Sequence, residues 1–255
     1  MIQALDHLVI LVDDLAQAMA DYETLGFHVT PGGEHADGAT HNALIAFVDG
    51  SYLELLAFRH EAPGHRWWRH TPFGEGLIDF ALLPGVIESD VAAARRRGLP
   101  MVGPLDGGRV RPDGRNVAWQ TAYADDPELP FLCGDVTPRE LRVPQGLDRL
   151  HPNGVRGIFR LTVAVADLAA STKRYRALIG QTPRSEPGRN LFKLGPSYIA
   201  IQDSSPDLVE QHAVAIQLAT RGVGPASVAL RRDYVATIPR VYDPELTHGV
   251  RMVVA

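Results

Sequence analysis

Three side chains in the first third of this chain stand where apolar strand patterns leave little room for charge: His7 in LDHLVILVDDL, Glu54 in SYLELLAF and Asp79 in GLIDFALL. Along SYLELLAF, period-two alternation puts Tyr52, Glu54 and Leu56 on one face and Leu53 and Leu55 on the other. An ionised carboxylate in such a strand is costly unless it is paired, protonated or bound to a cation, and Asp79 meets the same difficulty. One histidine and two carboxylates suit a hard or borderline divalent ion such as Mg, Mn or Zn, with positions left open for water and substrate. Such an ion polarises a carbonyl or stabilises an enediolate while a free carboxylate, Glu54 or Asp79, moves a proton. The other reading is a metal-free cup in which the three groups hydrogen-bond one another or Arg109 and Arg111. A register slip of one residue would turn Glu54 to the opposite face.

Further groups could hold a ligand. Arg109 and Arg111 flank Val110 and share a strand face, where paired guanidinium groups suit a carboxylate or phosphate; a salt bridge to Asp113 is the plainer reading. Trp119, and the Trp67-Trp68 pair, could line or cover a pocket or pack as core. If Asp49-Gly50 centres a hairpin, His41 shares a face with Glu54 but lies roughly 13 Å along the strand, within reach of the far end of a ligand. Asn42 reads as structural, and His65 and His70 as surface histidines without acidic partners. There is no phosphate-cradling loop, nucleophile elbow, HExxH or Cys–His signature.

The elements that must position these groups follow from punctuation. A strand over Leu5–Val12 runs into a helix over Leu15–Leu25, with Asp13 or Asp14 as cap and Gly26 as stop. Strands are expected around Phe27–Thr30, His41–Val48 and Tyr52–Phe58. A second unit starts at Gly76–Leu83, continues in a helix from about Val86 to Arg97 with Gly98 as stop, and adds Gly107–Gln120 and Leu129–Cys133. His7 lies 19 residues before Gly26 and Asp79 lies 19 before Gly98, so they hold matching places. Residues 138–154, rich in Pro, Gly and charge, read as a linker. A third unit spans about Val155–Asp203, and a fourth, degraded one is expected to begin at His212–Leu218. FRLTVAVADL repeats LDHLVILVDDL with Arg160 on His7 and Asp167 on Asp14; downstream, Asn190 falls on Asn42 and Ala200 on Glu54. Repeats share scaffold needs, so polar groups present in one copy alone are candidates for chemistry.

Composition narrows the class. A length of 255 residues allows one domain or two of about 125, and the repeat favours two. A net charge of -5 and pI near 6.0 speak against non-specific nucleic-acid binding. The single cysteine, Cys133, excludes an internal disulfide and a cysteine-based zinc site. The N-terminal stretch reads as neither signal peptide nor membrane span, so cytoplasm is the default.

The motifs LDHLVILVDDL, GATHNALIAF, SYLELLAF, GLIDFAL, GGRVRPDGRNVAW, LPFL and HPNG together resemble the glyoxalase-like domain family of the vicinal oxygen chelate superfamily over roughly the first 160 residues. The resemblance implies an α+β fold of tandem βαβββ modules forming two curved, half-open mixed sheets: residues 1–137 as the active cup and 155–255 as a degenerate second domain. It implies metal ligands on first and fourth module strands, which here means His7, Glu54 and Asp79. The fourth strand of module two offers only Leu129 to Cys133, a departure from a complete two-acid, two-histidine set. The activity implied is a metal-dependent lyase or isomerase acting on a small oxygenated or carbonyl-bearing metabolite, with no organic cofactor. Members of the superfamily also include ring-cleaving dioxygenases, disfavoured here for want of two histidines, and metal-free proteins of the bleomycin-resistance type that sequester small molecules. The partner expected is a small molecule, anionic or neutral, with neither nucleic acid nor membrane, and the chain is expected as monomer or homodimer.

Overall fold

The computed structural model describes residues 1–204, 211–232 and 239–254. The apolar run after Gln3 forms β1 (Ala4–Leu11), whose Leu8 and Ile10 pack outward under the helices while Val9 and Leu11 point inward. Asp14 ends the strand and caps α1 (Leu15–Thr24), its carboxylate accepting from the amides of Ala16 and Gln17 at 2.9 and 3.1 Å. The first unit continues through β2 (Thr30–His35), β3 (Thr40–Ala46) and β4 (Tyr52–Phe58). A short 3₁₀ helix, Trp68–Phe73, leads to the second unit: β5 (Gly76–Leu83), α2 (Ile87–Arg96), β6 (Val102–Val110), β7 (Asn116–Tyr123) and β8 (Phe131–Asp135).

These eight strands form one sheet in the order β1-β4-β3-β2-β6-β7-β8-β5. The two-module, α+β construction is as expected, and the first sheet goes beyond a half-open cup: it closes into a barrel. Closure is made at two seams, β1 against β5 and β2 against β6, where His35 pairs with Arg109 and Glu34 with Val110. Gly33, at φ +124°, makes the second seam possible, because a Cβ there would lie 2.0 Å from the carbonyl oxygen of Val110. This strand starts at Thr30, later than the expected Phe27–Thr30, since its glycines serve the seam rather than the hydrophobic pattern.

After β8 the chain forms α3 (Arg139–Arg142) and a 3₁₀ turn at Gly146–Arg149 before β9 (Val155–Ala164), α4 (Leu168–Ile179), β10 (Arg184–Glu186), β11 (Arg189–Leu194) and β12 (Ser197–Gln202). Residues 138–154, expected as a linker, thus also fold back on the barrel and bury Arg142. Then come α5 (Gln211–Thr220), β13 (Gly224–Arg232), β14 (Arg240–Val241) and β15 (Met252–Val254). The second sheet stays open, in the order β10-β11-β12-β9-β13-β15-β14. His212–Leu218 is helix and not the first strand of the fourth unit; a seven-residue apolar run cannot distinguish the two periods, and β13 takes that place.

Register shows the repeat in space. His7 pairs with Tyr52 as Arg160 pairs with Tyr198, Val9 with Glu54 as Thr162 with Ala200, and Val9 with Asp79 as Thr162 with Ser227. Asn42 and Asn190 break the match. Asn42 pairs with Leu56, the counterpart of Gln202, whose partner is Arg189; Asn190 is therefore one residue out of step and turns the other way, donating to Thr172 of α4.

Candidate functional site

Inward-facing side chains of the barrel surround a cavity of about 250 Å³. His7, from β1, and Glu54, from the parallel neighbour β4, stand side by side in its wall, with His7 Nε2 3.4 Å from Glu54 Oε2. Asp6 takes the other ring nitrogen, Nδ1, at 2.7 Å, possible because a register shift between Leu5 and His7 breaks the strict alternation of β1. Tyr52 stacks on the imidazole with centroids 4.5 Å apart, and Phe131 meets its edge. Glu54 Oε1 accepts from Asn42 Nδ2 at 2.6 Å and lies 3.5 Å from His35 Nε2. Asn42, read from sequence as structural, therefore orients the central carboxylate.

Burial opposes charge on both members of the pair, but each supplies what the other needs. Hydrogen bonds that its ring donates to Asp6 and Glu54 raise the His7 pKa above its usual value. Against the same burial, His7, His35 and Asn42 bring Glu54 down to about 2. His35 goes the other way: its burial outweighs the pull of Glu54 and lowers its pKa, which favours neutral imidazole. Beneath them Arg142 reaches from α3 to Asp6 at 2.7 Å, Asp135 at 2.5 Å and the Tyr52 hydroxyl at 2.7 Å. Asp6 is held well below the carboxylate range despite burial, chiefly by Arg142, and burial pushes the cavity-lining Cys133 thiol up to about 12.

The remaining expected residues divide. Arg109 and Trp119 line the cavity, Trp119 edge-on to His35, and Trp67 and His65 line it as well. His65 is not the partnerless surface residue that its context suggests, since Asp37 lies 3.6 Å away. Arg111 falls beyond the end of β6, where it pairs with Asp113 and donates to the Leu141 carbonyl. His41 faces away from the cavity. The β3–β4 turn has three loop residues, Val48 to Gly50, instead of the two assumed, so Leu44 opposes Glu54 and His41 opposes Ala57.

Asp79 also departs from the expected grouping. It pairs with Val9, two residues along β1 from His7, and is not part of the cavity wall. Its Oδ2 accepts from Arg66 Nη2 and Trp67 Nε1, both at 2.8 Å, and its Oδ1 from the amide of Phe80. With Asp6 on one His7 nitrogen and these donors on Asp79, the donor set of His7, Glu54 and Asp79 does not fit a divalent ion. Among the described residues no three His, Cys, Asp or Glu side chains group to hold one. Sequence reading missed Asp6, His35, Arg66 and Arg142. Only Asp6 carried a signal, as a second charge beside His7 in an apolar strand; the others come from segments without periodicity.

Comparison with known proteins agrees with this architecture. Residues 5–179 match the family model described as glyoxalase-like domain. No curated protein matches the chain in sequence. A hypothetical protein from Staphylococcus aureus superposes with a TM-score of 0.76 at 16% identity, over 98% of each chain. A mutant of 4-hydroxymandelate synthase from Streptomyces coelicolor gives 0.62 at 14% identity, over 92% of this chain and 72% of that one. A xylose isomerase-like TIM barrel/4-hydroxyphenylpyruvate dioxygenase fusion protein gives 0.56 at 18% identity, over 92% of this chain and 37% of that one. At these identities the structural likeness concerns the fold.

Proposed function

For a chain that belongs to the glyoxalase-like domain family, within the vicinal oxygen chelate superfamily, we propose that the barrel cavity binds a small, oxygen-bearing anion without a metal ion. One observation carries this reading: Arg109, 4% exposed, lines the cavity with its Nε unpartnered. Its Nη2 donates to the Arg142 carbonyl at 2.7 Å, and among the described residues no carboxylate forms an ion pair with it. A buried guanidinium in direct contact with no carboxylate is costly, and burial lowers the Arg109 pKa against the more distant pull of Glu54. A ligand carboxylate or phosphate would supply the missing charge through hydrogen bonds that match the guanidinium fork. Trp67, Trp119 and Phe131 offer apolar walls for the rest of the molecule.

The test is a thermal-shift series with pyruvate, lactate and phosphate against the neutral amides of the two acids. The anions are expected to raise the Tm of the wild type in a saturable way, the amides to have no effect, and Arg109→Met to weaken the response at least tenfold. Equal responses to acid and amide, or an unaltered Arg109→Met, would overturn the reading.

A lyase or isomerase reading is favoured by Glu54 in the cavity wall, because a bound carbonyl compound would bring its α-carbon within reach of a carboxylate. At a pKa of about 2 that carboxylate is a weak base, so binding has the stronger support. If proton transfer occurs, a bound α-hydroxyketone will exchange its α-hydrogen in heavy water, and Glu54→Gln will stop the exchange while leaving binding in place.

A further inference from the structure

Arg66 lines two cavities at once: the barrel cavity and a second one of about 190 Å³, bordered by Arg69, Asp79, Tyr123, Asp125 and Asp126. Unlike most of the cavity wall, it does not belong to a strand. It comes from the irregular segment between β4 and the 3₁₀ helix, and its side chain stays one-third exposed. The guanidinium carbon lies 4.9 Å from the ring centroids of Tyr123 and Phe131 and 5.4 Å from that of Trp67. Asp79 accepts from it at 2.8 Å and, with the same oxygen, from the Trp67 indole, so one carboxylate fixes both the guanidinium and one wall of the aromatic box around it.

We propose that Arg66 is a specificity-determining plug that ends the barrel cavity and limits the length of the ligand it accepts, with Asp79 as the positioning residue that holds it there. This rests on the anion reading of the cavity and adds the far end of the ligand to it. The box is shaped for a cation, since three ring faces and a carboxylate surround one guanidinium. Shortening Arg66 joins the two cavities and frees a cation site in the same cavity wall that Arg109 lines. The enlarged pocket then suits a carboxylate with a guanidinium or ammonium group at its other end. The native protein, with the box filled by its own arginine, takes only the shorter acid.

The test compares wild type, Arg66→Ala and Arg66→Met, the last retaining an apolar stem in case the alanine variant folds poorly. The probes are methylguanidinium, pyruvate and 4-guanidinobutanoate, read by Trp fluorescence and thermal shift. Methylguanidinium is expected to bind both variants saturably and at least tenfold more tightly than wild type, and adding Asp79→Asn is expected to abolish that gain. 4-Guanidinobutanoate should bind the variants and not the wild type, while pyruvate binds all three proteins. If folded Arg66→Ala and Arg66→Met bind methylguanidinium no better than wild type, the plug is overturned. If methylguanidinium binds the variants but neither acid binds any of the proteins, Arg66 does fill a cation box, while the anion reading falls and takes the length limit with it.

Discussion

Glu54 is a carboxylate held ionised within a barrel, and its neighbours make that state stabilising. Its folded pKa of about 2 lies below the ordinary 4.5, so its contribution is complete above pH 4.5 and is lost as pH falls toward 2. His7 has the opposite sign: its pKa is raised, so its contribution is complete below 6.5 and is lost as pH rises through the folded value. The pair therefore stabilises most between those two ordinary values. Urea unfolding across this range is expected to show an acid-side loss up to about 3 kcal/mol larger in wild type than in Glu54→Gln. His7→Gln should likewise flatten the decline above pH 6.5. Deeper in the wall, Arg142→Ala leaves Asp6 with Arg139 and His7 but without its buried guanidinium partner, and should cost about 3–5 kcal/mol by the same measurement. Legibility at this scale was uneven. His7 and Glu54 stood out because charge interrupts an apolar strand, whereas His35 and Arg142 sit in polar segments where an inward-facing charge looks like any other.

At the scale of elements, two short features govern what the side chains can reach. The three-residue turn after β3 decides which face His41 takes, because adding one loop residue inverts the parity of the pairing. Gly33 decides whether the barrel closes. Gly33→Ala places a Cβ 2.0 Å from the Val110 oxygen in a backbone conformation that L-residues avoid. It should cost at least about 2 kcal/mol in chemical denaturation and speed exchange of the β2 and β6 amides. Because His35 and Arg109 face each other across that seam, the same variant is expected to weaken anion binding without touching a ligand-contacting group. Most strands and the first two helices were legible from periodicity and their flanking Asp and Gly residues. The seam was not, since TPGGEH carries neither alternation nor β-branched residues beyond Thr30.

For the whole molecule, one apolar core runs from Ile2 and Leu8 of the barrel through Tyr175 and Leu178 of α4 to Met252 and Val254 of the second sheet. Polar ties reinforce it. Glu128, buried, accepts from Ser171 and Arg174 and receives the Tyr175 hydroxyl at its carbonyl, while Arg97 donates to the carbonyls of Ala177 and Leu178. The two halves should therefore unfold in a single calorimetric transition. Arg174→Ala, which strands the Glu128 carboxylate, should lower the midpoint more than Glu128→Gln, which removes the charge and keeps the shape. Two separate transitions in wild type would contradict this coupling.

By itself the sequence determined the module pattern, because alternation, helix caps and a spaced repeat are local or periodic properties that survive without knowledge of what packs against what. It also singled out His7 and Glu54, whose charge conflicts with the strands that carry them. Only the tertiary structure decided which groups meet. Asp79 lies behind Arg66 and Trp67, His41 turns away through the parity of one turn, and residues read as a linker deliver Arg142 beneath the His7–Glu54 pair. Those outcomes depend on strand register and on contacts between residues as far apart as Asp6 and Arg142, and neither property is written in the types of neighbouring residues.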